Sequence, residues 1–464
     1  MRPIDGRTAT APPAVGDTQR WHVPYALLPN GLAHDVTFEV SDGVYRAVRP
    51  GTAPDSLVRR FDGIALPGFA NTHSHAFHRA LRGRTHRGSG SFWTWRNAMY
   101  DIASRLDPET YYTLARAVYA EMVLAGFTSV GEFHYLHHRL DGRPYAYPNA
   151  MSNALTRAAQ AAGLRITLLD TLYLSGGLGE RGHQPLDALQ QRFSDGSTDE
   201  WARRVGRHRE RDHVRVGMAI HSVRAVPRAW LPVVRELSSN GPHARQRGRP
   251  LPVHVHLSEQ PAENEACLAY YGVTPTQLLR DAGLLTPNLT AVHATHLRDS
   301  DIALLGRARD TAAFCPTTER DLADGIGPAR ALLDAGARIS LGTDQHAIID
   351  PFEEARGLEM HERLVSGQRG RLGLHTLQAA ATAHDTLGWE DAGALRAGAR
   401  ADLVIVDLAS PRTAGVAPDQ VFMAATCADI TDVAVDGRFV VQERRHVLGD
   451  VGALLREAIE PLWA

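Results

Sequence analysis

The chain has 464 residues, of which 44% are hydrophobic and 22% are charged, and its formal net charge is −2. This length suits two or three domains, or one α/β barrel with a smaller domain beside it. The near-neutral charge gives no support to a nucleic-acid or anionic-membrane partner, and no apolar run reaches the length of a membrane span. Because the N-terminal segment lacks an apolar signal core, we expect a cytoplasmic protein.

The sequence contains no lysine, so all 50 residues in the combined lysine and arginine count are arginine. Three kinds of chemistry that need a lysine amine are therefore excluded: a Schiff base, a P-loop phosphate site, and a carbamate that bridges two metals. The three cysteines fit reduced thiols better than a disulfide framework.

The first predicted elements are antiparallel strands in residues 22–62, where apolar residues alternate between Gly and Asp turn signals. Eight short β-branched runs follow between about residues 63 and 345, and each ends abruptly in polar residues. Amphipathic helical patterns separate them, as in residues 107–126, where Asp107 can cap the helix, Pro108 suits the first turn and Gly126 can end it. The eight predicted strands are GIALPGFANTHSH, FTSVGEFHY, RITLLDTLY, VRVGMAIHS, PVHVHLSE, LTAVHATH, TAAFCPTTE and RISLGTDQH.

Strands that alternate with helices predict parallel βαβ units, and eight such units predict a closed (β/α)8 TIM-type barrel. The tail from about residue 395 again reads as short strands with turn signals. We therefore predict a barrel in residues 63–390 and one small β-sandwich domain formed by both termini, residues 1–62 and 391–464. Residues 1–20 and the polar run 243–250 are predicted to be linker-like.

Histidines and an aspartate end several predicted barrel strands, at the end of the barrel where active sites lie. His73 and His75 are two positions apart on the first strand, so their side chains face the same way. His256 ends the fifth strand and Asp344 ends the eighth. Three imidazoles and one carboxylate on one rim suit Zn²⁺, or Fe²⁺ less often, so we expect one divalent metal per chain.

Glu259 lies three residues after His256, just beyond the fifth strand. Beside a metal that activates water, this carboxyl is placed to carry a proton to a leaving nitrogen. The chemistry that this arrangement indicates is metal-assisted hydrolysis or deamination at an sp² carbon.

The HSH motif of the first strand, HLSE at the fifth, the sixth-strand His293 and the eighth-strand Asp344 resemble the amidohydrolase superfamily. The segment AGALRAGARADLVIVD near the C-terminus does so too. The resemblance covers nearly the whole chain and implies a barrel with a β-sandwich built from both termini. Without a lysine for a carbamate bridge, the chain is similar to the mononuclear deaminase-type branch. There Glu259, His293 and Asp344 would carry the catalytic steps.

A finer resemblance is to the formimidoylglutamate deiminase family. It implies hydrolysis of N-formimidoyl-L-glutamate to N-formyl-L-glutamate and ammonia in histidine degradation, by a homodimer. Arginine pairs most strongly with carboxylates such as the two on this substrate. Carried over motif by motif, the substrate-binding residues are His78, Arg96, Tyr135, His221 and Arg224. The segments that carry the resemblance are NTHSHAFHRALRG, FWTWRNAMY, TSVGEFHYLHH, IHSVRAVP, VHVHLSEQ, AVHATH and CPTTERDLADG.

Two positions depart from the pattern of that family. His78 stands where glutamine is common, and Gln345 stands beside Asp344 where serine is common. A neutral imidazole offers one donor and one acceptor, as the glutamine amide does, so the role of His78 can survive. Neither departure removes a metal ligand.

Two other functions stay open at this point. A deaminase of a cyclic substrate, such as guanine or another aminated heterocycle, would use the same metal site. A non-catalytic relative could bind a metabolite for regulation, but such a protein has no use for the proton-transfer groups Glu259, His293 and Asp344.

Overall fold

The computed structural model describes residues 18–86 and 92–464, so residues 1–17 of the segment predicted to be linker-like lie outside the described residues. In chain order its strands are β1 (Gln19–Leu28), β2 (Gly31–Ser41), β3 (Val44–Arg49), β4 (Arg59–Arg60), β5 (Ile64–Pro67), β6 (Phe69–Ser74), β7 (Phe127–His134), β8 (Arg165–Leu172), β9 (Gly177–Gly179), β10 (Gly182–Gln184), β11 (Val214–Ile220), β12 (Val253–Leu257), β13 (Leu289–His293), β14 (Thr311–Phe314), β15 (Arg338–Leu341), β16 (Leu403–Val406), β17 (Ile430–Val435), β18 (Arg438–Gln442) and β19 (Arg445–His446).

The α-helices are α1 (Phe92–Ser104), α2 (Pro108–Leu124), α3 (Ala150–Ala162), α4 (Thr198–Val205), α5 (Leu231–Asn240), α6 (Pro242–Arg247), α7 (Pro261–Tyr271), α8 (Pro275–Asp281), α9 (Asp299–Ala308), α10 (Pro316–Asp321), α11 (Ala329–Ala335), α12 (Pro351–Ser366), α13 (Leu374–Ala381) and α14 (Val451–Ile459). Within the described ranges, none of these helices is long and apolar enough to cross a membrane.

The predicted (β/α)8 barrel is confirmed. Strands β6, β7, β8, β11, β12, β13, β14 and β15 form one parallel sheet of eight strands in that order. A parallel bridge between Ser74 and Asp344 brings the first and last strands together. At this closure the N–H groups of Thr343 and Asp344 donate to the His73 carbonyl at 3.1 and 3.0 Å.

Both termini share a second, β-rich domain, as predicted. Its nine strands form one continuous mixed sheet in the order β19-β18-β17-β16-β5-β1-β2-β3, with β4 beside β1. The two ends of the chain meet where β5 pairs antiparallel with β16, with Ile64 opposite Val406 and Pro67 opposite Leu403. A separate apolar cluster, which includes Trp21, fills this domain.

The predicted first barrel strand is in fact two strands in two sheets. β5 belongs to the terminal sheet and β6 to the barrel, and Gly68 lies between them. A side chain at Gly68 would meet Thr128 Oγ1 at 2.3 Å, so only glycine lets the chain pass this close to β7. The chain therefore enters the barrel shortly after the predicted boundary at residue 63.

Two helices test the local predictions in opposite ways. The helix expected in residues 107–126 is α2, and Asp107 caps it by accepting from the N–H groups of Glu109 and Thr110 at 3.0 and 2.8 Å. The linker-like reading of residues 243–250 is wrong, because Pro242–Arg247 form α6, which ends at Gly248 in the left-handed conformation. A buried His243 and a closing glycine stabilise this short helix despite its polar composition.

A buried ion pair joins the barrel to the terminal sheet. Arg165, at the start of β8, donates from Nη1 to Asp402 Oδ1 at 2.8 Å, and the two side chains are only 1% and 2% exposed. Thr128 Oγ1 and the Asp436 N–H also donate to the Asp402 carboxylate, both at 3.1 Å. Because the carboxylate is fully hydrogen-bonded, removing the arginine alone would leave a buried charge without its partner.

We predict that Arg165→Met lowers the free energy of unfolding by roughly 3–5 kcal/mol, the usual cost of breaking one side of a buried pair. Urea unfolding followed by circular dichroism measures this change. The control is Arg143→Met, which removes an exposed arginine paired with Asp141 at 3.8 Å and should change stability little. Equal losses in the two variants would contradict the structural role of Arg165.

Candidate active site

The C-terminal ends of the barrel strands surround a pocket of about 690 Å³. Except for His73, which is fully buried beneath it, every residue that the sequence assigned to the site lines this pocket. The residues lining it include His75, His78, Trp95, Arg96, Met99, Tyr100, Tyr135, Tyr173, Ser175, Phe193, His221, Ser222, Arg224, His256, Glu259, His293, Leu322 and Asp344.

The four proposed metal ligands converge at the floor of the pocket. His256 Nε2 lies 3.1 Å from His73 Nε2 and 3.3 Å from His75 Nε2. Asp344 Oδ1 lies 3.2 and 3.4 Å from the same two atoms of His73 and His75. Tetrahedral zinc with bonds of about 2.0–2.1 Å holds its ligand atoms about 3.3–3.4 Å apart. The spacing therefore fits a tetrahedral divalent metal.

The hydrogen bonds of the imidazoles also point to a cation. His75 Nδ1 lies 2.8 Å from the Phe133 carbonyl, and His256 Nδ1 lies 2.9 Å from the His221 carbonyl. A carbonyl only accepts, so both Nδ1 atoms carry protons and both Nε2 atoms present lone pairs. Burial, with a smaller contribution from His73, lowers the pKa of His75 to about 3. Neutral imidazoles that face each other through lone pairs are the state a metal requires.

Backbone geometry presents these side chains to the pocket. The closure of the barrel holds Asp344 in place, since its carbonyl accepts from the His75 N–H at 3.1 Å. A side chain at Gly342 would lie 2.8 Å from His73, so glycine allows the two strand ends to approach. Left-handed backbone at non-glycine residues is uncommon and concentrates at functional sites. Here it occurs after three barrel strands, at Ser258, His293, Ala294, Asp344 and His346.

The three proposed proton-transfer groups lie together beside the ligands. His293 Nε2 is 3.7 Å from Glu259 Oε1 and 3.9 Å from Asp344 Oδ2. On the other side of the ring, His293 Nδ1 is 3.5 Å from Glu319 Oε1. Burial opposes the charged imidazole, but Glu259 and the other carboxylates outweigh it and raise the pKa of His293 to about 10. Burial also raises the pKa of the Glu259 carboxyl.

The predicted substrate-binding residues lie in the wall of the same pocket. The His221 ring lies 5.3 Å from His256 and 4.6 Å from Tyr173, measured between ring centroids. The acids Glu259 and Asp344 and the arginines Arg96 and Arg224 all line this one pocket.

Of the two positions that depart from the family pattern, only His78 faces the pocket. Its Nε2 lies 3.0 Å from the Tyr135 hydroxyl. Gln345 instead donates to Asp321 Oδ2 at 2.8 Å, and it does not line the pocket. The His78 difference therefore alters the substrate wall, whereas the Gln345 difference does not.

Comparisons with known proteins agree with this geometry. Residues 64–440 match the model of the amidohydrolase family. The chain belongs to the amidohydrolase family. It is 38% identical over 440 residues to formimidoylglutamate deiminase of Pseudomonas aeruginosa, covering 91% of this chain and 94% of that protein. Membership and this relative make the protein a hydrolase that acts on C–N bonds.

Other relatives of this amidohydrolase bear different names. It is 29% identical over 450 residues to 5-methylthioadenosine/S-adenosylhomocysteine deaminase of Pelotomaculum thermopropionicum, covering 93% and 94% of the two chains. A crystal structure of an amidohydrolase from Brucella melitensis superposes with a TM-score of 0.86 at 31% identity, over 96% of this chain and all of the other.

Sequence reasoning missed several residues that support the site of this amidohydrolase. Glu132, fully buried in β7, accepts from Ser74 Oγ and from the Ala76 N–H, both at 2.7 Å, and so fixes the turn that carries two of the histidines. Burial raises the pKa of Glu132 to about 8. Tyr100 holds Arg96 through a hydrogen bond of 3.0 Å from Nε. An acidic residue inside the buried run FTSVGEFH was the available signal for Glu132.

We expect the purified amidohydrolase to contain one divalent metal per chain. His256→Ala removes one donor of the four, so its metal affinity should fall by about 100-fold or more, beyond the usual loss from a supporting residue. Inductively coupled plasma mass spectrometry after dialysis gives the metal content. His375→Ala, which removes an exposed histidine of α13, should keep the metal. Two tightly bound metals per chain, or unchanged binding in His256→Ala, would refute the ligand set.

Proposed function

We propose that this amidohydrolase hydrolyses N-formimidoyl-L-glutamate to N-formyl-L-glutamate and ammonia, a reaction of histidine degradation. One observation carries the proposal: the carboxylates of Glu259 and Asp344 line the same pocket as the guanidinium groups of Arg96 and Arg224. The substrate has the matching polarity, with an amidine at one end and two carboxylates at the other. The relative with 38% identity, which is named for this reaction, supports the proposal.

His73, His75, His256 and Asp344 would hold a divalent metal, which when bound lowers the pKa of water and polarises the reacting carbon. Asp344 Oδ2 accepts a proton from the attacking water, and His293 hydrogen-bonds the developing tetrahedral centre. Glu259 delivers a proton to the terminal nitrogen of the amidine. Burial raises the pKa of the Glu259 carboxyl, and this favours the protonated form that donates the proton. Protonation of the terminal nitrogen determines that ammonia leaves.

Arg224 and Arg96 would bind the two substrate carboxylates, and His78 with Tyr135 would complete the wall. The carboxylates are remote from the reacting carbon, so their binding energy serves to hold the amidine over the metal. A site of this kind discriminates by charge as well as by shape. The homodimer stays a prediction.

The rival function is deamination of an aminated heterocycle, and the relative named for 5-methylthioadenosine and S-adenosylhomocysteine favours it. Guanine and 5-methylthioadenosine would bring no anion to the guanidinium of Arg224, whereas S-adenosylhomocysteine carries one carboxylate and N-formimidoyl-L-glutamate carries two, so the pocket with two arginines suits the last of these best. A purely regulatory binding protein is disfavoured because Glu259 and His293 form a proton-transfer pair beside the metal ligands.

The deciding experiment measures ammonia and N-formyl-L-glutamate from the metal-loaded enzyme with N-formimidoyl-L-glutamate. Parallel assays with guanine, 5-methylthioadenosine and S-adenosylhomocysteine test the rival. We expect equal amounts of the two products and no comparable turnover of the heterocycles. Glu259→Gln should keep the metal and lose about 10²–10⁴-fold in kcat, the usual contribution of a general acid–base group. Turnover of a heterocycle alone would overturn the proposal.

Arg224→Met should lower kcat/KM for N-formimidoyl-L-glutamate while the metal content stays normal. Losing one side of a charge-assisted pair costs about 2–5 kcal/mol, which corresponds to about 30-fold up to several thousand-fold in kcat/KM. The loss should shrink for N-formimidoyl-4-aminobutyrate, which lacks the α-carboxylate. Arg228→Met, which removes a nearby surface arginine, is the control. Equal losses on both substrates would refute the assignment of Arg224.

A further inference from the structure

Arg224 depends on a buried carboxylate that does not itself line the pocket. Glu263 lies in the first turn of α7 and is buried. Its Oε2 accepts a hydrogen bond from Arg224 Nε at 3.0 Å, and its Oε1 accepts one from the Ser258 N–H at 3.2 Å. Arg224 and Ser258 both donate, so each oxygen of the Glu263 carboxylate accepts one hydrogen bond.

The contact with Arg224 leaves part of the guanidinium for a ligand. A structural arginine–carboxylate pair is commonly bidentate, with two parallel N–H bonds. Here only Nε donates to Glu263, and among the described residues no hydrogen bond from either Nη atom of Arg224 is found. The side chain is 21% exposed and lines the pocket. Because the guanidinium is planar, holding Nε fixes the direction of the free Nη edge.

The second contact reaches the turn that presents Glu259. Ser258 directly precedes Glu259 and has a left-handed backbone, with φ of 51°. Its carbonyl accepts from the His296 N–H at 2.9 Å, and its hydroxyl donates to Asn264 at 2.8 Å. The bond from its own N–H to Glu263 completes this restraint. One carboxylate therefore holds both a recognition arginine and the turn beside the proton donor.

We propose that Glu263 is a positioning residue that aims the Nη edge of Arg224 at a substrate carboxylate and keeps that edge in register with Glu259. The proposal rests on the proposed function, and it adds a determinant of selectivity for anionic substrates that lies behind the pocket wall. Glu263 touches no substrate atom and acts through Arg224, while the bond from the Ser258 N–H holds the Glu263 carboxylate itself in place.

Glu263→Gln is a nearly isosteric test. The glutamine amide has one acceptor oxygen, so it can serve either Arg224 or Ser258, and its NH₂ group then faces the other donor. We expect kcat/KM for N-formimidoyl-L-glutamate to fall by about tenfold or more, with normal metal content. Glu265→Gln, an exposed position on the same helix, is the matched control and should behave as the wild type.

A double-mutant cycle separates positioning from general damage. Wild type, Glu263→Gln, Arg224→Met and the double variant are assayed with N-formimidoyl-L-glutamate and with N-formimidoyl-4-aminobutyrate. In the Arg224→Met background, Glu263→Gln should lower kcat/KM by at most about a further threefold, because the effects of substitutions at contacting residues are not additive. The preference of the wild type for the substrate with the α-carboxylate should shrink in Glu263→Gln. Glu263→Asp, which keeps the charge but shortens the reach, repeats the test if the glutamine variant folds poorly.

Two failures are distinguishable. If the wild type does not turn over N-formimidoyl-L-glutamate, the proposed function fails, and the inference about Glu263 falls with it. If the wild type is active but the losses from Glu263→Gln and Arg224→Met multiply, only the inference fails. Equal losses from Glu263→Gln on the two substrates would overturn it as well, because a purely structural residue would lower both rates alike.

Discussion

The closure of the barrel between its first and last strands is the constraint on which the site depends. The His73 carbonyl accepts from the backbone of Thr343 and Asp344, while the Asp344 carbonyl accepts from the His75 N–H. These three bonds join residues far apart in sequence and place an aspartate oxygen within 3.4 Å of two imidazole nitrogens. The same bonds that remove the open edges of the sheet therefore bring together the proposed metal ligands of its first and last strands.

Much of this arrangement could be predicted from the sequence because each barrel strand has a recognisable local sequence pattern. A buried parallel strand is a short apolar run, and its C-terminal end is where polar residues can reach the pocket. His73 and His75 are two residues apart on a strand, so their side chains face the same way and their convergence could be predicted. The split between β5 and β6 could not be predicted, because the apolar run through Gly68 is continuous in sequence. Only the distant strands with which each half pairs decide which sheet it joins. The short helix α6 was missed because burial of His243, rather than composition, stabilises it.

The sequence analysis also missed the supporting carboxylates, for a different physical reason. Glu132 and Glu263 each accept two hydrogen bonds, and each bonds at least one backbone N–H at a tight turn. Nothing in a local pattern shows which glutamate will face such a turn, because that depends on the packing of neighbouring units around the barrel. A glutamate within an apolar strand is a signal that burial must be compensated. A glutamate in the first turn of a helix, as Glu263 is, looks like an ordinary favourable charge near a helix N-terminus.

Buried charge is compensated in two different ways around the pocket. Arg224 is held by Glu263, so a cation and an anion compensate each other before any substrate arrives. Other buried acids near the proposed metal ligands have no such partner among the described residues: burial and then Glu259 raise the pKa of Asp324 to about 9, and burial raises that of Glu132 to about 8. Buried carboxyls of this kind must take up protons or find positive charge. A divalent cation between His73 and Asp344 would supply that charge, and a cationic amidine in place of a neutral ring would add to it.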